Sequence, residues 1–152
     1  MARWLVLHSL LSFSEHSDMI GVASSTDHSS LIYPTFADIK TDDEIVYYAI
    51  RDSVILGVFR VVSDRHFIDD QKWGPMCVYK IVPTHLPPSG KVLDFRRLVK
   101  DARLDLIPSR QKWPAYLRGH ACRPLSNHDY EIMKEHIVDG PGLIPLPEIR
   151  AP

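Results

Sequence analysis

Two apolar runs joined by a short polar turn, EIVYYAIRDSVILGVFRVVSD at residues 44–64, constrain this chain most. Both runs are apolar at nearly every position, and strands of that kind are covered on both faces. In a chain of 152 residues, the economical arrangement is a sheet curled into a small barrel with helices outside. Gly57 favours a bend or bulge where the sheet curls. We therefore expect the α/β (α+β) class: a curved β-sheet or small β-barrel flanked by short helices.

Short apolar runs elsewhere predict two further strands. RWLVLHS at 3–9 is typical of a buried strand, since His8 and Ser9 interrupt a run that would otherwise resemble a signal peptide. MCVYKIVP at 76–83 predicts another strand, which Pro83 ends. Because no apolar run approaches the roughly 20 residues that span a bilayer, we expect no membrane partner.

Capping residues mark the predicted helices. A Ser, Asp or Asn side chain that accepts a bond from the first helical N–H groups favours a start at the next residue, and glycine favours an end. The predicted helices run over 13–19 after Ser12 in a capping box with Glu15, over 95–101 after Asp94, and from Ser126 to a stop before Gly140.

The C-terminal segment PGLIPLPEIRAP holds four of the twelve prolines. Because proline fixes φ and lacks an N–H donor, we expect no regular structure there. The sequence is therefore divided into one domain over 1–139 and a Pro-rich tail over 140–152. The tail is expected to lie extended on the surface or to be disordered, and docking of a partner through it stays open.

Catalytic and metal-binding patterns are weak. Cys77 and Cys122 form no C-x-x-C pair and carry no catalytic signature, so we interpret them as buried hydrophobes in a reducing, cytoplasmic protein. The eight histidines form no H-E-x-x-H pattern, and no glycine-rich phosphate loop follows a strand. We expect no enzyme activity, no metal and no cofactor.

Charge and aromatic residues favour a binding protein instead. The net charge is −1, yet residues 91–123 hold nine Lys or Arg against three acids, so this segment carries +6 and the remainder −7. Such asymmetry allows a basic surface on a nearly neutral protein, although a solvated charged face explains it equally well. Trp73 lies in the polar stretch DDQKWGP, where an aromatic ring needs a packing partner or a ligand. Aromatic faces stack nucleobases at about 1–3 kcal/mol per base.

The order of these segments resembles the EVE domain, a relative of YTH domains in the PUA-like superfamily, and especially the small stand-alone prokaryotic EVE proteins. WLVLHS, IGV, the hairpin and WPAYLRGHACRPLSNHDYEIM carry the resemblance over roughly residues 3–137. It implies a pocket at the mouth of the curved sheet. The pocket would receive a modified base, flipped out of DNA or held from RNA, and the protein would read it without catalysis.

The resemblance also implies roles for individual residues. The family's Lys-Ser at the end of the first strand falls on His8 and Ser9, and its Trp-Gly-Val loop falls on Ile20, Gly21 and Val22, so that an aliphatic wall replaces an aromatic one. The implied ligand-binding residues are His8, Ser9, Gly21, Val22, Ser24, Trp73, Trp113 and Gly119. Contacts to the nucleic-acid backbone are assigned to Arg96, Arg97, Lys100, Arg110, Lys112 and Arg118.

The alternative is a small-molecule sensor or enzyme of the ASCH-like PUA group that uses the same pocket. Salt dependence separates the two, since phosphate contacts weaken as salt rises and a neutral metabolite hardly responds. DNA or RNA, the modification that is read, and a monomer or homodimer stay open.

Overall fold

The computed structural model describes residues 1–23, 36–117 and 120–149. Three predicted site residues, Ser24, Arg118 and Gly119, lie outside this part of the chain.

A curled sheet runs through the described part of the chain and is built around the predicted hairpin. Six strands form its main path in the order β2-β6-β4-β3-β1-β8, while β5, β7 and β9 pair at its sides. The strands are β1 Arg3–Ser9, β2 Met19–Ala23, β3 Glu44–Ile50, β4 Val54–Val61, β5 His66–Asp70, β6 Gly74–His85, β7 Lys91–Asp94, β8 Cys122–Pro124 and β9 Leu143–Pro145. β1 and β3 are parallel, and the other pairs are antiparallel.

The sheet curls because β6 is long enough to pair with different strands along its two halves. Its first half pairs with β2 and β5, and its second half pairs with β4. The β3–β4 register shifts beside Gly57, as the sequence predicted. A Cβ at Gly57 would lie 3.1 Å from the carbonyl oxygen of His85, so the close approach of the backbone there also favours glycine. The result is the predicted α/β architecture, a half-barrel flanked by short helices.

Both faces of the hairpin are covered, as its continuous apolar character predicted. Ile45, Tyr47 and Ala49 belong to the core inside the curl, while Val46 and Tyr48 belong to a second core between the sheet and the helices. Alternate residues of one strand therefore stabilise two different cores.

The helices confirm two predicted starts and correct a third. Asp94 and Ser126 cap their helices through bonds from the N–H groups of Arg96 and Asp129. The first helix begins at residue 10 instead of 13, because Ser9 caps it directly at the end of β1. No helix in the described ranges is long and apolar enough to cross a membrane. The helices are α1 Leu10–Glu15, α2 Phe95–Asp101, a 3₁₀ helix Arg110–Tyr116, and α3 Asn127–Asp139.

Two expectations about proline are wrong. Pro83 does not end its strand: it lies inside β6 beside a register shift, where Thr84 is the extra residue and a missing N–H is tolerated. The tail was expected to hold no regular structure, but its residues 143–145 form β9 and pair with β7. The prolines of the tail are far enough apart for Leu143 and Ile144 to keep their N–H donors and pack against the two cores.

Candidate ligand-binding cleft

A cleft of about 340 Å³ opens where β1 ends and α1 begins. This volume lies near the lower end of the range for small-molecule sites, about 300–1,000 Å³. β1, α1, β2, β3 and the turn between β5 and β6 all contribute to its walls. Five of the predicted ligand residues line it: His8, Ser9, Gly21, Val22 and Trp73.

His8 connects two walls of the cleft and is neutral. The N–H of Gly21 donates to its Nε2 across 3.2 Å, and its Nδ1 lies 2.8 Å from the carbonyl oxygen of Leu7. Because Nε2 accepts a bond, the ring proton is on Nδ1 and donates to Leu7. Desolvation lowers the pKa of His8, which agrees with the neutral form. Both ring nitrogens are therefore engaged, and the bond to Nε2 holds β2 against the end of β1.

One residue of β2 lies outside the cleft lining. Met19, Gly21, Val22 and Ala23 line the cleft, whereas Ile20 does not and is buried in the core inside the curl. The expectation that Ile20 replaces an aromatic wall is therefore wrong. A Cβ at Gly21 would lie 2.7 Å from Val78 Cγ1 and 2.9 Å from Met76 Cε, so glycine lets the methionine pack close to β2.

Ser9 and Ser12 supply hydroxyl groups at the start of α1. Ser9 Oγ accepts the N–H of Ser12 at 3.0 Å, and the two hydroxyl oxygens lie 2.8 Å apart. Only one of the two hydroxyl protons is used between them, so within the described residues the other is free to donate to a ligand. Ser12 was not predicted as a site residue.

Trp73 forms an exposed wall that polar contacts hold in place. The residue is 38% exposed. Asp70 Oδ1 accepts the N–H groups of Lys72 and Trp73 at 2.8 Å each, which fixes the turn between β5 and β6. Glu15 at the end of α1 accepts the indole N–H at 3.1 Å and pairs with the ammonium of Lys72, which lies 5.2 Å from the indole centroid. We call Glu15, His16, Asp70 and Lys72 the latch of Trp73.

The latch depends on ionised carboxylates. The bond from Lys72, and after it the bond from Trp73, lowers the pKa of Glu15. The N–H of Trp73, followed by that of Lys72, lowers the pKa of Asp70. Nε2 of His16 lies 2.8 Å from Asp70 Oδ2, which ties the end of α1 to the same turn.

Tyr47 lies at the base of the cleft and was not predicted. It is fully buried, and no partner among the described residues bonds its hydroxyl group. Its ring packs edge-on against His8, Phe13 and Phe59, with centroid separations of 5.6, 4.9 and 6.0 Å. Periodicity could not find it, because a strand covered on both faces gives no sign of which residues face a cavity.

Trp113 lies at a second cleft, of about 350 Å³, which shares Leu7 and Ile50 with the first. It is half-buried and packs edge-on against Phe95, with the centroids 5.4 Å apart. The structure therefore does not bring Trp113 together with Trp73.

The predicted backbone-contacting residues that the structure describes lie on α2 and on the 3₁₀ helix, and the 3₁₀ helix lines this second cleft. Arg96 is close to the cleft, because the preceding residue, Phe95, packs against Trp113. Arg97 pairs with Asp101 at 2.7 Å. The described members of the set are all exposed: Arg96, Arg97 and Lys100 on α2, and Arg110 and Lys112 on the 3₁₀ helix.

The sequence matches no protein-family model and no curated protein, but solved structures share its fold. A Pseudomonas putida protein aligns with a TM-score of 0.57 at 16% identity, over 86% of this chain and 96% of its own. Protein Atu2648 from Agrobacterium tumefaciens aligns with a TM-score of 0.56 at 12% identity, over 93% and 97%.

A third structure carries a ligand. Human thymocyte nuclear protein 1, in complex with DNA that contains 5-methylcytosine, aligns with a TM-score of 0.55 at 9% identity, over 89% of this chain and 96% of its own. Identities this low show the fold alone. At that level the expected curved-sheet fold is confirmed, since the chain shares the fold of these proteins.

Proposed function

We propose that this protein binds nucleic acid and receives one modified base in the cleft in front of Trp73. The observation that carries the proposal is the exposed indole itself, which three separate polar contacts hold over a mostly apolar cleft. A ring fixed in this way presents a stacking face at little entropic cost on binding. The fold is shared with a protein that was crystallised with 5-methylcytosine DNA, which supports the same class of ligand here.

The exposed cations on α2 and the 3₁₀ helix suit the phosphates on one side of a flipped base. Arg96, Lys100, Arg110 and Lys112 lie on adjoining helices, and α2 packs against the 3₁₀ helix. Phosphate contacts of this kind add affinity without reading sequence, and they weaken as salt rises. The latch side of the cleft carries Glu15 and Asp70 instead, which disfavours a phosphate there. The backbone is therefore proposed to run along the side of α2.

The cleft is proposed to bind its ligand without converting it. Within its described lining, both ring nitrogens of His8 are engaged, by Leu7 and Gly21, and His16 bonds Asp70 as part of the latch. His8 is therefore not positioned as a free general base, which favours recognition over catalysis.

Fluorescence polarisation tests the proposal directly. Labelled duplexes that differ only in one 5-methylcytosine are titrated with the protein at salt concentrations from about 50 to 200 mM. We expect tighter binding of the methylated duplex, weaker binding of both as salt rises, and loss of the difference in Trp73→Ala. Trp113→Phe serves as the matched control, because its ring lies at the other cleft.

Two results would contradict the proposal. Equal loss of affinity for methylated and plain duplexes in Trp73→Ala would show that the modified base does not bind in this cleft. Binding of a free nucleoside at an affinity that does not change with salt, without binding of any duplex or single strand, would favour the small-molecule sensor instead.

A further inference from the structure

We propose that the hydroxyl group of Tyr47 reads the ligand, by donating a hydrogen bond to a ring nitrogen or carbonyl oxygen on the edge of a neutral pyrimidine base. This inference rests on the proposed function, and it adds a specificity-determining residue and a ligand class to it.

The hydroxyl of Tyr47 is unusual within the described residues. Buried polar side-chain atoms are almost always bonded, and two here have no partner: Tyr47 Oη and Arg3 Nε. The Arg3 guanidinium is nevertheless engaged through its other nitrogens, by Asn127 and Glu44. Tyr47 has a single polar atom, so its whole hydrogen-bonding capacity is unused.

The other large buried tyrosines show what a purely structural hydroxyl does. Tyr79 donates to the carbonyl oxygen of Phe36 at 3.0 Å, and Tyr130 donates to Glu44. Both bonds join segments that are distant in sequence. A phenylalanine would fill the site of Tyr47 equally well if its role were packing alone, and it would leave no polar atom unpaired.

The position of Tyr47 suits a reading group. Three aromatic rings pack edge-on against its own ring and fix its orientation, and the residue lines the cleft. A donor that is held in place before the ligand arrives loses little freedom on binding. Burial also raises the pKa of Tyr47, so the group keeps its proton at neutral pH and is available as a donor.

The surroundings define the ligand class. His8 is neutral, and no charged side chain is free at the base of the cleft within the described lining, so a neutral ring fits better than an ion. Met19 and Met76 add thioether side chains to the walls, which suit a methyl substituent on that ring. A 5-methylpyrimidine combines this methyl group with the ring nitrogen and carbonyl acceptors that Tyr47 requires.

Tyr47→Phe is the direct test, because it removes one oxygen atom and keeps the ring. We expect the affinity for a duplex with one 5-methylcytosine to fall about ten-fold by fluorescence polarisation. The melting temperature of the unliganded protein should stay the same or rise, because an unpaired buried hydroxyl is removed. Tyr79→Phe is the matched control: it breaks an internal bond, so it should lower the melting temperature and leave the affinity unchanged.

The outcomes separate the two proposals. If the wild-type protein prefers the methylated duplex and Tyr47→Phe binds it equally well, the role of Tyr47 is wrong and the proposed function stands. A fall in melting temperature as large as that of Tyr79→Phe, with unchanged affinity per folded molecule, would make the hydroxyl structural and also overturn the inference. If the wild-type protein does not bind the oligonucleotide, both proposals fail.

Discussion

The two clefts, which share Leu7 and Ile50, use their tryptophans in opposite ways. Trp73 is exposed, projects from a turn, and is held by side chains that arrive from α1. Trp113 is half-buried and packs against Phe95 in the core between the sheet and the helices. Packing accounts for an aromatic residue that lies against a core. An aromatic ring that polar bonds hold at the surface instead exposes a face on which a ligand can stack. The comparison favours the first cleft as the binding site and assigns the second mainly to the fold.

The largest effect should come from exchanging the two rings for alanine. Trp113→Ala should lower the free energy of unfolding by about 3 kcal/mol, because a large aromatic side chain leaves a void beside Phe95. Trp73→Ala should cost less than about 1 kcal/mol, since surface residues make small contributions. Urea denaturation measures both. If both variants lost the same free energy of unfolding, the two tryptophans would contribute equally to the fold and the proposed difference between the clefts would be wrong.

Gly21→Ala tests whether the wall that β2 gives to the first cleft contacts the ligand. The added methyl group would meet Val78 and Met76 at less than 3.0 Å. Overpacking of this kind costs about 1–3 kcal/mol, and movement of the methionine would also change the cleft wall. We expect lower stability together with weaker binding of the methylated duplex. Lys80→Ala, at an exposed position of β6 outside the cleft lining, is the control. Unaltered binding by Gly21→Ala would show that this wall does not contact the ligand.

Charge reversal should affect binding without distinguishing methylated from plain DNA. Arg96→Glu combined with Arg97→Glu should weaken both complexes about equally and reduce the slope of log affinity against log salt by about 2. Arg60→Glu combined with Lys80→Glu, two exposed changes on β4 and β6 outside the basic segment, alters the net charge equally and is the matched control. The same loss in the control would reduce the effect to net charge.

The smallest effect should be an acid transition of the latch. The pKa of Glu15 is lowered in the folded protein, so its contribution is complete above its ordinary value of 4.5 and disappears as the pH falls through the lower folded value. Trp73 fluorescence should therefore change at a pH below 4.5. Glu15→Gln should remove that part of the transition, while a variant of the distant pair, Glu131→Gln, should leave it intact. A transition that persists in Glu15→Gln would contradict the latch.

Local chemistry explains which parts of the fold could be predicted. The caps at Asp94 and Ser126 and the bulge beside Gly57 depend on neighbours a few residues away, and all three are confirmed. The start of α1 was misplaced, because Ser9 and Ser12 are both acceptable caps and only the end of β1 selects between them. The strand in the tail depends on β7, some fifty residues earlier, which no local pattern reports.

The predicted site shows the same division. Five of its residues line one cleft, yet Ile20 does not form the wall that was expected of it and Tyr47 was missed. By itself the sequence determined that a doubly covered hairpin must curl, where two helices begin, and that positive charge is concentrated in one segment. Only the tertiary structure decided which side of each strand faces the cleft and that Glu15 reaches Trp73, 58 positions away. The physical reason is that pleat orientation and long-range contacts depend on how the sheet closes, whereas caps and apolar runs depend on adjacent residues.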